Sequence, residues 1–355
     1  MFNSVSLPIL LLIFVVAAAA VWIAGIQLCN TTEVLSTRLG LGEALGGLLL
    51  LAIATNLPEF AITSSAALHH NLGIATGNIL GGIAIQTVVL VILDVFGVQG
   101  KYPLTYRAAS LTLVLEGVLV IAVLITAIMC TQLPPSVIFD RVTPDGLLIT
   151  VIWLVGLWLI SKAKTDLPWQ EQPKVPDPEI TDNQIKFKAE TQTNDKEVST
   201  TRTIIVFVIA SIVTLAAGVV LEQSGDAIAK YVGVSGVIFG ATILAAATSL
   251  PEVSTGLEAV KLQDYELAVS DVFGGNAFLP VLFLLATLLS GQAVLPQATE
   301  VDIYISGLGI LLTTVYIYGL IFRSTKRVFN MGIDSLVVLV LYAIGILGLV
   351  AVARG

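Results

Sequence analysis

The sequence predicts an all-α polytopic membrane protein of about ten transmembrane helices, arranged as two inverted five-helix repeats. Three observations carry that expectation. Hydrophobic residues make up 56% of the 355-residue chain and charged residues only 12%, roughly half the charged share of a soluble globule. Apolar runs of about twenty residues recur along the chain, each long enough to cross a hydrocarbon core of about 30 Å. One segment also occurs twice: Ala52-Ile53-Ala54-Thr55-Asn56-Leu57-Pro58-Glu59 returns as Ala245-Ala246-Ala247-Thr248-Ser249-Leu250-Pro251-Glu252. The offset of 193 residues between Glu59 and Glu252 also pairs Gly25 with Gly218, Gly47 with Gly240, Ala75 with Ala268, and Gly81-Gly82 with Gly274-Gly275. Register kept over a whole helical hairpin marks an internal duplication.

The spans are expected at 5–29, 42–68, 72–98, 107–130, 145–162, 202–222, 235–260, 266–290, 301–322 and 333–353. The first lacks a basic leading segment and runs into further spans, so it is read as a helix and not as a cleaved signal. Residues 1–162 form the first half and 201–355 the second. Between them, 163–200 holds Pro168, Pro173, Pro176 and Pro178, dense charge and little apolar periodicity, the composition of a disordered linker. The net charge of −8 and pI of 4.8 partly reflect the acids of this segment. They suggest no nucleic-acid partner.

Lys and Arg set the orientation. Fourteen of the seventeen basic residues fall on one side, among them Arg38, Lys101, Arg107, Lys261, Arg323, Lys326, Arg327 and those of the linker, against Arg141, Lys230 and Arg354 on the other. Both termini are therefore expected outside an inner (plasma) membrane, with the linker cytoplasmic. Five spans per half then invert the second half relative to the first, a construction common in secondary transporters. Lys162 and Arg323 fit interfacial anchors, and His69-His70 a solvated turn. Cys29 and Cys130 have no metal or disulfide spacing.

The repeated motif carries the chemistry. A proline removes a backbone donor and clashes with the preceding turn, so Pro58 and Pro251 should kink or break their helices. Freed carbonyls near Ala54-Thr55 and Ala247-Thr248 then need partners. Thr55, Asn56, Thr248 and Ser249 precede Glu59 and Glu252 by about one turn, on roughly the same face. Carboxylate, hydroxyl, amide and carbonyl oxygens together suit hard cations such as Ca²⁺, Na⁺ or Mg²⁺, and the lack of nearby His or Cys disfavours zinc or copper. A charge at the bilayer centre costs at least about 2.5–3.5 kcal/mol; two in symmetric positions are best explained by a bound cation. Gly77, Gly81, Gly82, Gly274 and Gly275 permit close helix contact and should bring the two hairpins together with the glutamates facing each other. Asp94 and Glu116 are read as snorkelling or locally paired acids, Glu43 and Glu258 as interfacial. No GxSxG, HExxH or paired catalytic aspartates appear, so an enzyme is not expected.

At these residues the chain resembles the cation/Ca²⁺ exchanger superfamily, especially its sodium/calcium exchanger branch. Thr-Asn-Leu-Pro-Glu and Thr-Ser-Leu-Pro-Glu stand where that family has T-S-x-P-E, within α-repeats at about 47–87 and 240–280. Gly77-Asn78-Ile79-Leu80-Gly81-Gly82 stands at its G-N-x-x-G-S, and Ser270-Asp271-Val272-Phe273-Gly274-Gly275-Asn276 is a looser copy. The resemblance implies alternating-access exchange of Ca²⁺ for Na⁺, with Glu59 and Glu252 as central ligands and Thr55, Asn56, Thr248 and Ser249 adding oxygens. It implies no cofactor beyond the transported ions, no obligate protein partner, and the lipid bilayer as surroundings. The departures are specific. Gly82 and Gly275 replace the family's serine, while Gln86 and Leu279 stand where Asn or Asp is common. Gln86 keeps one ligand position in kind. Asp271 is a candidate replacement carboxylate, in a displaced site or as a proton acceptor. Coupling to H⁺ in place of Na⁺ is the alternative.

Overall fold

The computed structural model describes residues 5–38, 53–135, 141–166 and 199–353. Among them, nine helical segments are long and apolar enough to cross a membrane. They match nine of the ten expected spans. The remaining one, 42–68, lies partly outside the described residues, as do Glu43, Gly47 and most of the linker.

In chain order the first half contains α1 (Leu7–Arg38), α2 (Leu57–Leu68), α3 (Leu72–Ile92, extended by a π-turn at Leu93–Gly97), the short α4 (Leu104–Ala108), α5 (Leu111–Cys130) and α6 (Pro144–Asp166). The second half begins with α7 (Thr200–Val232). Then α8 (Gly236–Phe239), a π-turn (Gly240–Leu244) and α9 (Ala245–Thr248) run into α10 (Leu250–Lys261). It continues with α11 (Tyr265–Phe278), α12 (Leu282–Ser290), α13 (Glu300–Phe322) and α14 (Ile333–Val352).

Two helices outrun their expected spans. At 32 and 33 residues, α1 and α7 are each about 48–50 Å long, well beyond the hydrocarbon thickness. A helix satisfies its own backbone, so it continues into the polar interface until something stops it. For α7 the stop is Gly233, left-handed at φ 71°, the usual C-terminal device. The two long helices pack along each other and brace the repeats crosswise. Gly25 of α1 lies against Pro251, and Gly218 of α7 against Ala61 and the Pro58 carbonyl. These are partners under the 193-residue offset, so the duplication extends to how each half grips the other. The main core gathers α3, α5, α11 and α13, and a second cluster joins α1 and α7 to α2 and the α8–α9 region.

Asp94 does not snorkel. It is 1% exposed; its Oδ1 accepts from the Leu104 amide at 2.9 Å, and its Oδ2 from the Gly332 amide and Ser335 hydroxyl at 2.7 and 2.8 Å. It thereby ties the end of α3 to the starts of α4 and α14. A two-residue hairpin between Arg327–Val328 and Met331–Gly332, turning through Phe329 and Asn330 at positive φ, covers the same helix end. The Arg327 guanidinium donates to the carbonyls of Asp94, Val98 and Gly100, and Asn330 to that of Val95. Those of Asp94 and Val95 are among the carbonyls a helix C-terminus leaves without partners. Arg327→Ala is expected to cost about 2 kcal/mol, the scale of hydrogen bonds from a charged donor. A lowered unfolding midpoint in detergent would show it. Lysine, lacking the fork, should not restore it.

Candidate cation site

Pro58 and Pro251 each restart a helix. Asn56 (φ −89°, ψ 13°) and Ser249 (φ −82°, ψ 3°) leave helical geometry at matching positions, and each proline occupies the first turn of the helix that follows. Proline suits that place because its missing N–H has no intrahelical partner there. The consequence lies in Glu59 and Glu252. Both fall in a first turn, where the amide ends of the helix favour negative charge. On the other side of the break, α9 ends with the Ala245 carbonyl accepting from the Ser249 hydroxyl at 2.8 Å and the Thr248 hydroxyl at 3.1 Å.

The two glutamates come together across the repeat boundary, 0% and 2% exposed. Gln86 of α3 joins them: its Nε2 donates to Glu59 Oε1 at 3.4 Å and to Glu252 Oε1 at 3.2 Å. Glu59 Oε2, Glu252 Oε2 and Gln86 Oε1 are buried without a hydrogen-bond partner. Thr248 is fully buried and Asn56, 1% exposed, contacts Thr55. A Cβ built on Gly275 would stand 2.9 Å from Asn56 Nδ2 and 3.5 Å from Gln86 Oε1. The missing serine therefore leaves that space to Asn56, while Gln86 stands at ordinary contact distance. The mirror position repeats the exchange with a different outcome, since a Cβ on Gly82 would meet Leu279 at 3.2 Å.

Close approach of the hairpins depends on glycine. A Cβ on Gly77 or Gly81 would overlap the backbone of Val237 or Ala241, so α3 lies backbone to backbone on the α8–π segment. The first repeat thus supplies the wall against which the segment leading to Glu252 packs.

Asp271 is not in this central group. Its Oδ2 accepts from the Thr255 hydroxyl at 3.0 Å, and Thr255 also donates to the Glu252 carbonyl at 3.3 Å. Thr255 escaped sequence reasoning, although its place one turn after Glu252 was a usable signal. Glu116 accepts from Ser270 of α11 at 2.9 Å, a partner 154 residues away in place of the local one expected. Glu258 pairs with Lys261 at an exposed helix end. Among the described residues no buried polar side chain is basic, and no three His, Cys, Asp or Glu side chains converge. Buried carboxylates need pairing or a cation. Two carboxylates ringed by neutral oxygens suit a hard ion without trapping it.

Residues 9–162 and 202–351 match the family model described as sodium/calcium exchanger protein. The chain is 25% identical over 280 residues to inner membrane protein YrbG of Escherichia coli (strain K12), covering 78% of each. It is 24% identical over 266 residues to the putative antiporter CaxA of Alkalimonas amylolytica, covering 75% of each. In fold it is similar to the sodium-calcium exchanger NCX_Mj, with a TM-score of 0.61, 17% identity and coverage of 96% of this chain and 99% of that one. It is also similar to the H⁺/Ca²⁺ exchanger CAX, with a TM-score of 0.59, 14% identity and coverage of 97% and 87%. With a duplicated, broken-helix carboxylate site at the centre of a multi-pass membrane bundle, this chain belongs to the sodium/calcium exchanger family and is a cation/Ca²⁺ antiporter.

Proposed function

We propose that the chain exchanges Ca²⁺ for Na⁺ by alternating access through one site built on Glu59 and Glu252. The observation that carries this reading is the bridging of two carboxylates from opposite repeats by a single amide, with no buried basic side chain among the described residues. Thr55, Asn56, Thr248 and Ser249 add neutral oxygens, partly through main-chain carbonyls. Gln86 serves in two ways. Its NH₂ donates to both carboxylates, and its Oε1 is the oxygen that a flipped amide turns to a bound cation. Asp271 acts beside this set. The basic-residue bias supports an inner-membrane orientation with both termini outside and the 163–200 segment cytoplasmic.

In proteoliposomes an imposed Na⁺ gradient is expected to drive ⁴⁵Ca²⁺ uptake against its own gradient, and dissipating the Na⁺ gradient should stop it. The second reading, exchange of a divalent cation for H⁺, is favoured by the glycines at 82 and 275 and the apolar Leu279, which leave fewer oxygens for several Na⁺ ions. Uptake that ignores Na⁺ and follows a pH gradient would establish that reading in place of the first.

A further inference from the structure

The central site is built symmetrically, but its flanks are not. On α11, Ser270 and Asp271 are 7% and 6% exposed, and Glu266 lies at the helix's solvent end, accepting from Ser110 at 2.9 Å. Asp271 lies four residues, about 6 Å along the axis, from Gly275, which packs against Asn56 and Gln86. It therefore stands between the centre and the membrane face that carries the Lys261–Gln263 turn. One of its oxygens takes the Thr255 hydroxyl; the other, Oδ1, is buried with no hydrogen-bond partner. The basic group at the mouth, Arg107, is directed to the Tyr265 hydroxyl and the Gln99 carbonyl at 3.0 and 2.9 Å. Under the 193-residue offset, the first repeat has Gly73, Gly77, Asn78 and Ile62 where the second has Glu266, Ser270, Asp271 and Thr255. The approach from the other face has no counterpart of Asp271 on α2 or α3, and its buried acid, Glu222 of α7, has both oxygens taken, by the Ser65 hydroxyl at 2.8 Å and the Asn71 amide at 3.2 Å.

We propose that Asp271 and Thr255 form a second, off-axis cation site that loads a divalent ion towards Glu252 from one membrane face only. This rests on the paired-glutamate reading above and adds sidedness to it. Carboxylate, hydroxyl and the Glu252 carbonyl make an oxygen set for a hard cation. With Arg107 turned to Tyr265 and Gln99, the unpartnered Asp271 oxygen attracts cations on this approach, and the attraction on a divalent ion is twice that on a monovalent one.

The test is ⁴⁵Ca²⁺ uptake into right-side-out and inside-out vesicles carrying the full chain. Asp271→Asn should raise the half-saturating Ca²⁺ concentration about tenfold from the Lys261 face, the low end of what losing a supporting group costs a metal site. It should leave the value from the opposite face unchanged. Thr255→Val should act in the same direction on the same face, and Asn78→Asp, which places a carboxylate on the opposite approach, should lower the half-saturating concentration there. An equal loss from both faces, or no change from either, would overturn the proposal. Glu59→Gln separates this from the underlying reading: if it retains full transport the paired-glutamate site itself fails, whatever Asp271→Asn does.

Discussion

Glutamine in place of Glu59 or Glu252 is expected to reduce Ca²⁺ transport by about a hundredfold or more, since carboxylate count sets Ca²⁺ affinity over several orders of magnitude. The two carboxylates share one amide across the repeat boundary, so removing either charge leaves a single glutamate to hold the ion. Both variants should fold, because glutamine is isosteric and relieves charge in a buried setting. A normal unfolding midpoint with lost ⁴⁵Ca²⁺ uptake in proteoliposomes is the signature of a ligand. Full transport by either variant would refute the shared site. The double variant should be little worse than either single one, because the two groups act as a unit.

Valine at Gly81 should be the most damaging substitution for folding. Its Cβ would overlap the Ala241 Cα and carbonyl, backbone atoms that cannot change rotamer, and the strain is expected to cost about 3 kcal/mol. The unfolding midpoint in detergent should fall accordingly. Gly307→Val is the control, because a Cβ there meets nothing within 4 Å. Since Ala241 lies one turn before Ala245, whose carbonyl receives both motif hydroxyls, a Gly81→Ala protein that still folds should lose transport.

Much of this architecture was legible in the sequence. Hydropathy located the spans because a membrane helix must be apolar along its whole length and bond its own backbone. The duplicated Thr-x-Leu-Pro-Glu located the breaks and the paired carboxylates. Helix ends were less legible, because α1 and α7 continue past the apolar residues at no backbone cost. For Asp94 the snorkelling alternative failed for a related reason. An acid near a span end resembles a snorkelling one until the amides of Leu104 and Gly332, 10 and 238 residues away, are brought to it.

By itself, then, the sequence determined the class of molecule, the two-fold construction and the residues Glu59 and Glu252. All follow from local composition or from a pattern repeated at a fixed offset. Only the tertiary structure decided what the departures mean. Gly275 leaves its space to Asn56 of the other repeat, Gln86 bridges the two carboxylates, Leu279 closes on Gly82, and Asp271 turns aside to Thr255. Each is a contact between repeats or between helices, and packing across such a boundary depends on the volume and polarity of both partners, which no single stretch of chain contains.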